Sequence, residues 1–127
     1  MFNQATLAGR VAADPEIRTT ASGKKVAAFR IATSRPAGGD RKEYTEWHNV
    51  VAWGEGLAKL FGEYVHKGDL ILVTGEIRTR SYEAEDRGKR YVTEIVMGAN
   101  DQVRFLSRAK AGEGHPPATE ADDDIPF

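Results

Sequence analysis

The stretch of residues 43–54, EYTEWHNVVAWG, constrains the fold of this chain more than any other segment. It is rich in aromatic and β-branched residues and ends on a glycine, which is typical of a β-strand. Side chains alternate between the two faces of a strand, so Val50 and Ala52 share one face, which suits a core. The residues on the opposite face are Trp47, Asn49, Val51 and Trp53.

That opposite face holds both tryptophans of the chain. Flat rings on a surface that would otherwise be polar are the kind of platform on which nucleic-acid bases stack. Burial of the same two rings is the other interpretation, because large aromatic residues also fill cores. Taken alone, the stretch leaves both interpretations open.

Length and composition limit the class of protein. A chain of 127 residues is long enough for one domain with a core and a tail. It has no cysteine, which excludes disulfides and Cys-based metal sites. Residues 1–6 do not resemble a secretory signal, and no apolar stretch approaches the length of a membrane span. We therefore expect a protein of the reducing cytoplasm, without a membrane partner.

The net charge of −1 conceals an uneven distribution of charge. Residues 1–110 hold all 18 Lys and Arg against 14 Asp and Glu, whereas residues 111–127 hold five acidic residues and no Lys or Arg. A mildly basic body suits a polyanion ligand, and the acidic end suits a separate interaction tail.

Periodicity predicts a mainly β protein with one helix. Apolar spacing over residues 55–66 predicts the helix, which Lys67 and Gly68 end. A flexible basic loop is predicted over residues 34–42 and a hairpin tip over residues 83–90. Strands are predicted over residues 5–11, 25–33, 43–53, 70–82 and 91–97, with a short extension at 17–20 and a last strand at 102–106.

This order of elements predicts a five-stranded Greek-key barrel of the oligonucleotide-binding (OB) type, with the helix between strands 3 and 4. Strand alternation places Arg30 opposite the core residues of its strand, and it places Arg78, Arg80 and Tyr82 on one face of theirs. Cations interleaved with aromatic rings, without a helix that reads a groove, favour single-stranded nucleic acid over duplex.

Several short motifs, taken in their order and spacing, resemble the bacterial single-stranded DNA-binding protein family. The resemblance covers roughly residues 3–106 and the last six residues. The motifs are LAGR at 7–10, DPEIR at 14–18, TEWH at 45–48, KG at 67–68, GEIRTR at 75–80 and DDDIPF at 122–127.

The resemblance implies a set of DNA-binding residues. Rings that stack on bases are expected at Trp47, Trp53 and Tyr82, and each stack is worth about 1–3 kcal/mol. Two features depart from the family pattern: Asn49 stands where a basic residue can occur, and residues 35–42 lack a further aromatic ring. Cations expected to contact phosphates are Arg30, Arg78, Arg80, Lys89 and Arg90, with Arg10 in addition.

The resemblance also implies a homotetramer built from two-fold symmetric dimers, with His48 at a subunit interface. A metal site at His48 is not expected, because the other two histidines, His66 and His115, lie at a helix end and in the tail. No cofactor is expected either.

The C-terminal segment predicts a domain organisation of residues 1–108 as the DNA-binding domain, 109–121 as a flexible linker and 122–127 as a partner-binding tip. The linker cannot bury apolar surface and is expected to be disordered. About 12 flexible residues reach on the order of 20 Å. The family resemblance implies that the tip docks on replication and repair enzymes; its residues are Asp122, Asp123, Asp124, Ile125, Pro126 and Phe127.

Three functions are candidates for a chain with this sequence. The leading prediction is a non-catalytic, sequence-independent single-stranded DNA binder that protects single strands and recruits replication, recombination and repair enzymes. An RNA-binding or primosome-type OB protein is the second, and the DDDIPF ending argues against it. An enzyme is the third, but no nucleophile triad, metal cluster or phosphate loop supports it.

Overall fold

A computed structural model describes residues 1–39, 43–85 and 88–109. The predicted tail and its partner-binding tip lie almost entirely outside the described residues. Within the described ranges the elements are β1 (Ala5–Val11), β2 (Glu16–Thr19), β3 (Lys25–Pro36), β4 (Glu43–Trp53), α1 (Glu55–Tyr64), β5 (Leu70–Ala84), β6 (Gly88–Met97) and β7 (Val103–Ser107).

Five of these strands close into a barrel. β1 pairs with β3 on one side and with β5 on the other, β3 pairs with β4, and β5 pairs with β6, all antiparallel. The ring closes through a parallel pairing of β4 with β6. The short strand β2 adds to β3, and β7 adds to β5. The predicted five-stranded OB barrel is therefore confirmed, with α1 between its third and fourth strands, β4 and β5.

The core is formed by inward-facing residues of the barrel and by one side of α1. Phe61 of α1 is fully buried and packs on Phe29 of β3, with ring centroids 4.6 Å apart. Val50 and Ala52 are buried as strand alternation predicts. Other core residues are Val11, Ala27, Ile31, Val65, Ile71, Val73, Ile95 and Met97.

Two glycines allow the barrel strands to approach closely. A Cβ on Gly9 would lie 2.4 Å from the carbonyl oxygen of Ala32 in the neighbouring β3. A Cβ on Gly75 would lie 2.8 Å from the carbonyl oxygen of Val96 in β6. Only glycine fits where the backbones come this near, so these positions permit the closure of the barrel.

The β3–β4 and β5–β6 hairpins are longer than the sequence predicts. β3 continues to Pro36, which pairs with Glu43, so the prediction that residues 34–36 belong to a loop is wrong. The polar side chains there satisfy each other across the hairpin, as in the 3.1 Å hydrogen bond between the hydroxyls of Ser34 and Thr45. In the second hairpin, β5 runs to Ala84 and β6 starts at Gly88, which shortens the predicted tip.

The helix ends at Tyr64 rather than at residue 66, because the backbone is extended at Val65, and a buried carboxylate binds the segment that follows. Asp69 is 2% exposed, and its Oδ2 accepts a hydrogen bond from the backbone N–H of His66 at 2.9 Å. Its Oδ1 accepts the N–H of Ala109 at 2.8 Å. Asp69 thereby binds the backbone just after the helix and holds the start of the predicted linker against the barrel.

In the described part of the chain, no helix combines the length and the apolar character required to cross a bilayer.

Candidate nucleic-acid interface

One outer surface of the barrel crosses β3, β4, β6 and β5. Residues directly opposite each other on paired strands point to the same side of a sheet. One row across the four strands consists of Arg30, Asn49, Glu94 and Arg78. We call this surface the outer face; its members are Ala28, Arg30, Ala32, Trp47, Asn49, Val51, Trp53, Glu76, Arg78, Arg80, Tyr82, Arg90, Val92, Glu94 and Val96.

The outer face presents the three predicted stacking rings to solvent. Trp47 is 54% exposed, Trp53 is 39% exposed and Tyr82 is 47% exposed. Within this chain the rings are therefore exposed rather than buried, and neither belongs to the core. What favours a binding surface is not the exposure of any one ring but the presence of all three on one face.

A cation lies against one of these rings. The guanidinium carbon of Arg30 is 5.3 Å from the centroid of the Trp47 ring, within the range of a cation–π contact. Arg30 itself is exposed, so its remaining N–H donors face solvent. An exposed ring and an exposed cation therefore lie side by side on the outer face.

Two adjoining grooves run along the outer face. Both are lined by Ala28, Val51, Arg80 and Glu94. One groove continues to Arg30 and Asn49, and the other continues to Trp53 and Arg78. The lining of the grooves combines apolar side chains with charged side chains of both signs.

Arg80 is paired with an acidic residue in these grooves. Its Nε and Nη2 donate hydrogen bonds to the two carboxylate oxygens of Glu94 at 3.2 and 3.1 Å. The hydrogen bond to Glu94, together with the charge of that carboxylate, raises the pKa of Arg80 above its ordinary value. Arg78 donates its Nε to Glu76 at 3.0 Å, but Glu76 is half-exposed and this pair is therefore weak.

The remaining predicted cations divide between faces. Arg90 lies opposite Tyr82 in the β5–β6 hairpin and shares the outer face. Lys89 lies opposite Glu83 on the other side of that hairpin, so the structure does not bring it to the outer face. Arg10 of β1 pairs with Ala32, at the border of the outer face, and its Nη1 donates to the carbonyl of Gly68 at 3.0 Å.

His48 is half-buried on the inner side of β4, and its Nε2 is 2.9 Å from the hydroxyl of Thr33. This contact within the chain does not test the interface that the sequence analysis predicts for His48. Among the described residues, no group of three or more His, Cys, Asp or Glu side chains is placed to hold a metal ion.

Two features of β3, β4 and β6 were not predicted from the sequence. Arg35, predicted to belong to a loop, lies in β3 with its guanidinium carbon 4.9 Å from the ring centroid of Tyr44 on β4. Glu94 received no role, although alternation within the predicted strand 91–97 sets it opposite the buried Ile95. In the sequence, Glu94 could have been noticed as a carboxylate that shares its strand face with two apolar residues, Val92 and Val96.

Comparisons with known proteins agree with this geometry. The chain is 40% identical over 116 residues to a "Single-stranded DNA-binding protein" of Rhizobium meliloti, across 88% of this chain and 67% of that protein. It is 35% identical to a protein of the same name from Rickettsia prowazekii, across 99% of this chain and 97% of that protein.

A solved structure described as "Plasmodium falciparum SSB complex with ssDNA" matches with a TM-score of 0.76 and 30% sequence identity, over 84% of this chain and 96% of that one. The model of the single-strand binding protein family matches residues 2–106, which include all five strands of the barrel. The chain therefore belongs to the single-strand binding protein family.

Proposed function

We propose that this chain binds single-stranded DNA without sequence preference, through the outer face, and protects it. The observation that supports this most strongly is the placement of three exposed rings, Trp47, Trp53 and Tyr82, on one face together with cations. Every base has a π-face, so stacking rings bind bases of any kind, while cations bind the uniform phosphate chain.

The family relationship gives this proposal independent support. The chain shares its family and 30–40% sequence identity with proteins named for single-stranded DNA binding, and its fold with a structure described as an SSB complex with ssDNA. Members of this family are non-enzymatic, which confirms the sequence prediction that the chain is not an enzyme.

The assembly and the partners belong to the same proposal. We expect four chains to associate, with His48 at an interface, in the cytoplasm at the nucleoid. The tip, residues 122–127, would recruit replication, recombination and repair enzymes. Its apolar end, Ile125 to Phe127, suits a small apolar pocket, and the preceding aspartates suit a basic rim.

The two faces of the β5–β6 hairpin supply a test. Tyr82 lies on the outer face, whereas Tyr91 pairs with Ser81 on the opposite face and is 70% exposed. A labelled dT oligomer is titrated with the wild type, Tyr82→Ala and Tyr91→Ala, and binding is followed by fluorescence polarisation. We expect Tyr82→Ala to weaken binding by about 1–3 kcal/mol, the value of one base stack.

Tyr91→Ala serves as the matched control and is expected to bind as the wild type does, because the same ring is removed from the other side of the same hairpin. Equal losses in both variants would mean that the outer face is not the specific DNA surface. Failure of the wild type to bind the oligomer would refute the proposed function itself.

A further inference from the structure

An acidic residue lies within the surface that we propose for a polyanion. The Glu94 side chain is only 13% exposed, and it lines both grooves of the outer face. Its strand register sets it between Asn49 of β4 and Arg78 of β5. A carboxylate at this position repels phosphate groups and lowers the positive potential of the grooves.

Glu94 is engaged by one cation in a specific geometry. Both of its oxygens accept hydrogen bonds from Arg80, at 3.2 and 3.1 Å, which is the two-bond arrangement in which arginine binds carboxylates most strongly. The Arg80 side chain itself is 61% exposed. The guanidinium of Arg80 is therefore accessible to a phosphate, but its positive charge is balanced by the negative charge of Glu94.

The comparison with Glu76 distinguishes this pair from an ordinary surface ion pair. Glu76 makes a single hydrogen bond to Arg78 at 3.0 Å, and its side chain is 51% exposed, so water screens the pair. Glu94 is largely withdrawn from water and makes two bonds to one guanidinium.

We propose that Glu94 holds Arg80 as a neutral pair and thereby restrains the affinity of the outer face for single-stranded DNA. This inference rests on the proposed function. Neutralising a phosphate releases condensed counterions, and each cation that does so adds about 0.7 to the slope of log K against log salt for a single strand. An arginine balanced by a carboxylate contributes little to that slope, whereas a released arginine contributes fully.

The test is a salt titration of dT-oligomer binding by the full chain and its Glu94→Gln variant. Glutamine keeps the shape of the side chain but removes its charge. We expect affinity at low salt to rise up to about fivefold, and the salt slope to steepen by about 0.7 for each chain in contact with DNA. Thermal melting of both proteins establishes that they are folded at the temperature of the titration.

Glu63→Gln is the matched control, because it makes the same charge change on α1, outside the outer face. It is expected to leave the slope as it is. Adding Arg80→Gln to Glu94→Gln is expected to remove the gain in slope, since the released charge is then gone. If Glu94→Gln alone is unfolded at that temperature, the double variant Arg80→Gln with Glu94→Gln still tests the inference. Removing a neutral pair should leave the salt slope of the wild type, so a slope more than about 0.3 shallower would contradict neutral pairing.

Two results would overturn the inference while leaving the proposed function intact. One is a Glu94→Gln slope equal to that of the wild type. The other is a loss of affinity in Glu94→Gln, which would mean that Glu94 aids binding by orienting Arg80. A wild-type protein that does not bind the oligomer at all would refute the proposed function instead.

Discussion

At the scale of single residues, the proposed binding surface depends on where flat rings and charges point. Strand alternation predicts that Trp47 and Trp53 oppose the core, and the structure exposes both. The same rule sets Glu94 on the outer face, but its contact with Arg80 requires the register between β5 and β6. Register depends on contacts between distant parts of the chain, so the sequence analysis had no local pattern from which to predict the pair.

Trp53 provides the residue-scale prediction. It lies at the end of a groove beside Arg78 and is 39% exposed, so its ring has a free surface for a base. We expect Trp53→Ala to weaken dT-oligomer binding by about 1–3 kcal/mol, or roughly 5- to 150-fold, as measured by fluorescence polarisation.

Trp53→Phe is the control for this prediction and should retain most of the affinity, because it keeps a stacking surface. Unchanged affinity in Trp53→Ala would mean that this ring serves another purpose, such as a subunit contact.

At the scale of secondary-structure elements, the barrel order could be predicted but the lengths of its hairpins could not. Residues 34–36 and 83–84 contain polar and turn-forming types, so their local propensity indicated loops. In the structure they extend both hairpins, because cross-strand contacts such as Ser34 with Thr45 override that propensity. The extension matters for the site, since it places Tyr82 and Arg90 opposite each other.

Barrel closure leads to a stability prediction at this scale. The Cβ of an alanine at position 9 would collide with the backbone of β3, 2.4 Å from the Ala32 carbonyl oxygen. We expect Gly9→Ala to lower the free energy of unfolding by about 1–3 kcal/mol, measured by urea denaturation.

Gly56→Ala is the comparison, because a Cβ there meets nothing within 4 Å and the residue lies in α1. Alanine is the better helix former, so this variant should be as stable as the wild type or more stable. A Gly9→Ala protein as stable as the wild type would show that β3 moves aside at little cost.

At the scale of the whole molecule, charge divides the chain into a body and an end. All 18 Lys and Arg precede residue 111, and five acidic residues follow residue 110. Asp69 holds Ala109, the last residue that the structure describes, to the barrel. This division of charge is a property of the sequence itself, and the division into domain, linker and tip that it suggests stays a prediction. The assembly of chains could not be derived from composition, since it depends on surfaces that only a partner chain would cover.

The tip provides the prediction at this scale. We expect Phe127→Ala to leave dT-oligomer affinity unchanged, because the ring is proposed to fill a pocket on a partner enzyme rather than to contact DNA. Binding to a purified genome-maintenance enzyme, measured by calorimetry, should fall below detection. A variant that loses DNA affinity instead would contradict the proposed separation of body and tip.

The central claim is that bases stack on the exposed tryptophans of the outer face, and both tryptophans of the chain lie there. The most direct measurement is their intrinsic fluorescence during titration with poly(dT), and with duplex DNA of equal charge, at several salt concentrations. We predict strong quenching by poly(dT) that persists at moderate salt, with little response to duplex. No quenching, or equally weak binding of both polymers that disappears as salt rises, would contradict stacking and reduce the contact to electrostatics.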